Sequence, residues 1–110
     1  MGKTKDTRRL ADNQAMAVCN SIRSSSRKLN LVAQTIRGLS AEKAVAELSF
    51  SKKRIAKVAL EVLKSAIANA ENNHKLNIDK LVVAEAYTGN GIVMKRMDWM
   101  CVCFVMTIQK

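Results

Sequence analysis

Lys52, Lys53 and Arg54 stand in a row at the start of a helical run, and their chemistry is that of anion binding. Arg can hold phosphate oxygens bidentately, while Lys supplies a mobile point charge. The run they open, Lys52 to Asn73 (KKRIAKVALEVLKSAIANAENN), reads as one helix of ~33 Å. Ile55, Ala59, Val62, Leu63, Ala66 and Ala70 recur at helical spacing as an apolar stripe, flanked by Leu60 and Ile67. Lys53, Lys57, Glu61, Lys64 and Asn72 fall on the opposite face. Three cations crowding the first turn oppose the partial positive charge of a helix N-terminus, at up to ~1 kcal/mol each. An external polyanion would remove that cost.

Other combinations support little chemistry. Cys101 and Cys103, taken with Cys19 and His74, offer one tight pair where a tetrahedral zinc site usually needs two. His74 follows a helix end with no Ser or Cys partner indicated, so it makes a poor general base. Glu61 and Glu71, ten residues apart on one helix, do not converge as catalytic carboxylates would. No glycine-rich phosphate loop is present. The expectation is a protein that is not an enzyme and uses no metal, cofactor or small-molecule substrate.

Charge then narrows the partner. Lys and Arg number 19 against 9 Asp and Glu, a net charge of +10 on 110 residues. Such a balance points to a nucleic acid or an anionic membrane. The N-terminus lacks the apolar segment of a secretory signal, and Asp6 stands where a myristoylation motif needs Ser or Thr. The longest apolar run is too short for the ~20 residues of a membrane span. Three cysteines, an odd count, give no disulfide framework, which fits a reducing cytoplasm.

The elements that position these residues follow from pattern. Residues 1–14 read as a basic arm, 15–96 as one globular domain and 97–110 as an atypical apolar tail. Met16, Val18 and Ile22 alternate with Ala17, Cys19 and Ser21, which predicts a half-buried strand. Ser24 to Ser26 supply the N-cap of a first helix, with Leu29, Val32, Ala33 and Ile36 inward and Gly38 at its C′ position. Arg27, Asn30, Gln34 and Arg37 share its outer face. Ser40 caps a second helix carrying Ala41, Ala44, Val45 and Leu48, and Ser51 caps the third, which exits at Asn72 to His74. Asn73 is the candidate cap of that exit. Leu81 to Tyr87 predicts a strand, Gly89-Asn90-Gly91 a turn, and Ile92 to Met94 a continuation. The predicted fold is α+β, three helices packed on a small antiparallel sheet.

At this point two segments become specific. Ser25 to Gly38 (SSRKLNLVAQTIRG) and Leu63 to Asn73 (LKSAIANAENN) resemble the hallmark segments of the family numbered twenty-two in the bacterial large ribosomal subunit. FSKKRI at 50–55, LVVAEA at 81–86 and Met94-Lys95-Arg96 fall in the same order and spacing, so the resemblance covers roughly residues 5 to 96. It implies a structural, ribosome-bound protein that binds large-subunit rRNA, contacts neighbouring large-subunit proteins, supports assembly and lies near the peptide exit tunnel. It also implies a long β-hairpin reaching inward from the domain. By position, the implied rRNA contacts are Arg27, Lys28 and Arg37, then Lys52, Lys53 and Arg54. Lys64, Asn69, Asn72, Asn73 and His74 follow on the third helix, and Lys95 and Arg96 at the root of the hairpin. Asn side chains suit 2′-hydroxyls and base edges in an RNA minor groove. The scarcity of aromatics argues against base stacking on an exposed sheet.

After Arg96 the resemblance stops, and MDWMCVCFVMTIQK replaces the family's Arg- and Gly-rich hairpin tip, leaving the hairpin shortened or missing. A frame change or truncation would produce such a tail; alternatively, Cys101 to Ile108 serves as a shortened returning strand beside Leu81 to Tyr87. Rival readings are a basic DNA-binding module, a non-functional truncated ribosomal protein, and a membrane-surface amphipathic helix. The first lacks a recognition helix or dimer seam. The last is weakened by Glu61 and Glu71 on the polar face of the third helix.

Overall fold

A computed structural model describes residues 11–90 and 102–109, without the side chains of Ser21, Asn90, Val102 and Cys103. In chain order it contains β1 (Gln14–Ile22), α1 (Ser26–Ile36), α2 (Ala41–Phe50), α3 (Arg54–His74), a 3-10 turn at Ile78–Lys80, β2 (Val82–Asn90) and β3 (Val102–Gln109). The strands form one antiparallel sheet in the order β1-β3-β2. α3 packs on β1 and α1 on β2, while α2 lies against α3. This is the expected α+β architecture.

The helical stripes fall mostly where periodicity puts them, except that Val45 and Ile55 are only partly buried and Ala56 joins the buried face of α3. Leu29, Val32, Ala33 and Ile36 of α1 are buried, as are Ala41, Ala44 and Leu48 of α2. On α3 the buried set is Ala56, Ala59, Val62, Leu63, Ala66 and Ala70, with Ile55, Leu60 and Ile67 partly buried at its margins. Gly38 follows the C-cap of α1 at φ +75°, a left-handed conformation that a residue without Cβ adopts freely. Its N–H donates to Val83 O (2.9 Å) rather than back into the helix. Val83 N–H donates to Leu39 O and Ala41 N–H to Leu81 O (both 2.9 Å), and Ser40 bridges Val82. The α1–α2 connection thereby covers part of the outer edge of β2, a place where an open strand would invite mispairing.

Several local expectations are corrected. The inward face of β1 is Ala15 and Ala17, whereas Met16 (40% exposed) and Val18 (45%) point to the open face. α3 packs on this strand, and small buried residues occur on both, Ala15 and Ala17 on β1 and Ala56, Ala59, Ala66 and Ala70 on α3, which suits a close approach. An irregularity between Cys19 and Ile22 then reverses the alternation, so Ile22 is buried. Ser51 ends α2 rather than capping α3; its Oγ accepts from Lys53 N–H (3.4 Å) and the helix starts at Arg54. Nor is Asn73 the final cap of α3. Lys75 takes the left-handed position (φ 50°, ψ 36°), donating to Ala70 O and Glu71 O. Ser25 and Ser40 occupy N-cap positions, but neither side chain makes a capping hydrogen bond.

The largest revision concerns the sheet. Gly89 and Asn90 are not a turn; they extend β2, opposite Cys103 and Val102. β3 is a returning strand, and it pairs with β1 as well as β2, so it is the central strand. Phe104, Met106 and Ile108 are fully buried beneath the helices. Thr107, on the other face, is also buried, because a central strand has neighbours on both sides. Only residues 91–101 join β2 to β3, so the long hairpin implied by the family resemblance is shortened. Ile92 to Met94 lies outside the described residues.

Candidate nucleic-acid interface

α1 and α3 begin side by side, and the two ends enclose a cleft of about 460 Å³. Its wall carries Lys28 from the first turn of α1, and Lys53 and Arg54 from the N-cap and first residue of α3. Ser24 and Ser25 line the rim, and Leu31, Val32 and Ile55 form apolar surface. A second cleft of about 390 Å³ shares Ser24, Arg54 and Ile55 and extends to Arg23 and Val58. Neither helix has an acidic residue in its first turn, and no acid lines either cleft. Cations and two positive helix ends therefore add in the same place, with no acidic residue among the described residues that line it. The chemistry available there is anion binding.

The expected site residues divide into groups that the fold separates. Arg27 and Lys28 are exposed on α1, and Lys52 and Lys53 are exposed in the connector before Arg54. Lys64 is exposed halfway along α3. Asn72 and Asn73 are exposed and His74 half-buried at its far end, with Asn72 ~27 Å along the axis from Arg54. Lys95 and Arg96 lie outside the described residues. Thus Lys28, Lys53 and Arg54 converge, while the asparagine end of α3 lies far along the helix from them.

Two expected contacts also have work within the fold. Arg37 Nε donates to Ala86 O (2.6 Å) and its Nη2 to Asn30 Oδ1 (2.8 Å), which ties the end of α1 to β2. Asn69 Nδ2 donates to Met16 O (3.2 Å), joining α3 to β1. Arg37→Ala is therefore expected to lower stability by about 1–3 kcal/mol, since it breaks charge-assisted bonds and leaves Ala86 O to water. Urea denaturation measures this; an unchanged midpoint would mean that neither bond contributes.

Sequence reasoning missed Ser24 and Leu31 as members of the site. Leu31 is 55% exposed on the cleft wall. For Ser24 and Leu31 no local signal exists. They meet Lys53 and Arg54 only through the packing of α1 on α3.

Comparison with known proteins bears on the same residues. A sequence profile described as ribosomal protein L22p/L17e matches residues 17–103. That match extends past Arg96 into the start of β3, beyond the point where the likeness read from the sequence alone stops. Large ribosomal subunit protein uL22 of Rhizobium etli is 62% identical over 96 residues, covering 87% of this chain and 74% of its own length. The uL22 of Erythrobacter litoralis is also 62% identical, covering 87% and 77%. That of Rhodospirillum rubrum is 57% identical, covering 87% and 76%.

Proposed function

This chain belongs to the ribosomal protein L22p/L17e family, and from that premise we propose that it is an rRNA-binding structural component of the large ribosomal subunit. The observation that carries the reading is the convergence of Lys28, Lys53 and Arg54 on one cleft, in a chain of net charge +10. Cations from two helices, fixed by the α1–α3 packing, suit a phosphate backbone better than a diffuse charge would. Arg27 and Lys52 flank that cleft in sequence and extend the basic surface. Lys64, Asn72, Asn73 and His74 form a second contact region along α3, where amides and imidazole meet ribose and base edges. Arg37 and Asn69 take part chiefly by holding α1 and α3 on the sheet.

The protein acts in translation by stabilising folded rRNA, not by catalysis, on cytoplasmic ribosomes near the exit tunnel. We assign its main role to the globular domain; Lys95 and Arg96, outside the described residues, are further candidate contacts.

The test is incorporation. A tagged chain is expressed in bacterial cells, ribosomes are separated on a gradient, and the large-subunit fraction is washed with high salt. Retention on the large subunit is expected. A chain found only among free proteins or aggregates would overturn the reading.

A further inference from the structure

We propose that the cleft between α1 and α3 receives a single nucleotide turned out of the RNA stack, rather than a smooth stretch of backbone. The inference rests on the rRNA-binding reading and specifies what that surface recognises. A duplex backbone needs only cations on a convex or flat face. Here Lys28, Lys53 and Arg54 stand around a concavity of about 460 Å³, within the ~300–1,000 Å³ range of sites that enclose small ligands. The wall between the cations is apolar: Leu31, Val32 and Ile55 line it, and Leu31 is left 55% exposed. A phosphate gains nothing from that surface, whereas the face of an unstacked base does.

Phosphate and base are thus assigned to different parts of one cavity. Lys28, Lys53 and Arg54 hold the phosphate and its neighbour in the chain. Leu31 and Ile55 receive the base, and the Ser24 hydroxyl at the rim is a donor or acceptor for the ribose or a base edge. An unpaired nucleotide of a bulge or loop fits at low cost, because its base has little stacking to lose.

The experiment compares the full chain with Leu31→Asn, both bound to deproteinised large-subunit rRNA. Leu31 is solvent-exposed on α1, so the variant folds; its thermal transition is checked first. Hydroxyl radicals report backbone contact, and base-selective alkylation reports burial of an unpaired base. The expected result is one unpaired base protected by the parent chain and released in Leu31→Asn. Backbone protection persists in the variant, and affinity falls about tenfold. Backbone protection with no base protection that responds to position 31 would overturn the nucleotide site while leaving rRNA binding intact. Absence of both protections would overturn the rRNA-binding reading as well.

Discussion

A chain cut after Cys101 is expected to lose cooperative folding entirely, although only nine residues are removed. β3 lies between β1 and β2, which do not pair with each other. Its loss leaves two strands ~9.6 Å apart with no ladder between them. It also removes Phe104, Met106 and Ile108, three fully buried side chains on a strand packed against α3. Phe104→Ala alone should cost about 3–5 kcal/mol. Set against the ~5–15 kcal/mol typical of a domain, that is roughly a fifth of the stability or more. Circular dichroism with thermal melting reads both variants. A sharp transition in the cut chain would show that the helices and the first two strands form a core by themselves, and that β3 is an ornament.

Neutralising Lys52, Lys53 and Arg54 to Gln should have the largest effect on RNA binding. Each lost phosphate contact lowers the slope of log K against log salt by about 0.7–0.9, so three lower it by about 2–3. At 0.1 M salt that corresponds to a ~100- to 500-fold weaker association, against near equality at 1 M. Stability moves the other way. These cations sit at the positive end of α3, so removing them relieves up to ~1 kcal/mol each. Weaker binding with an unchanged or higher melting temperature therefore separates an interface role from a structural one. Lys43→Gln and Lys80→Gln, changes at exposed lysines away from the cleft, serve as controls that leave the slope nearly unchanged. An unaltered slope in the triple variant would remove these residues from the interface.

Much of the architecture was legible because helices advertise themselves locally. The stripe Leu29, Val32, Ala33, Ile36 and the stripe Ala59, Val62, Leu63, Ala66, Ala70 are buried as their spacing requires. Periodicity is a property of a few consecutive turns, and the apolar face must go inward whatever it meets. β1 was harder. Its alternation is clear, yet Met16 and Val18 are the bulkier set and face outward, since the packing of the strand against α3 decides which set is covered. The tail was harder still. Apolar residues occupy both faces of 102–109, and a pattern of that kind describes a central strand and a foreign segment equally well.

The same division holds for the candidate site. Composition and the order of residues determined the basic character, the family resemblance and the cationic Lys52-Lys53-Arg54 run, because charge and local motif need no partner to be read. Tertiary structure decided that Lys28 joins Lys53 and Arg54 around an apolar wall, while Asn72 and Asn73 stand at the other end of α3. It also decided that Arg37 and Asn69 fasten helices to the sheet. These are contacts between residues distant in sequence. They exist only once burial of the helical stripes against β1, β2 and β3 has fixed where each helix begins.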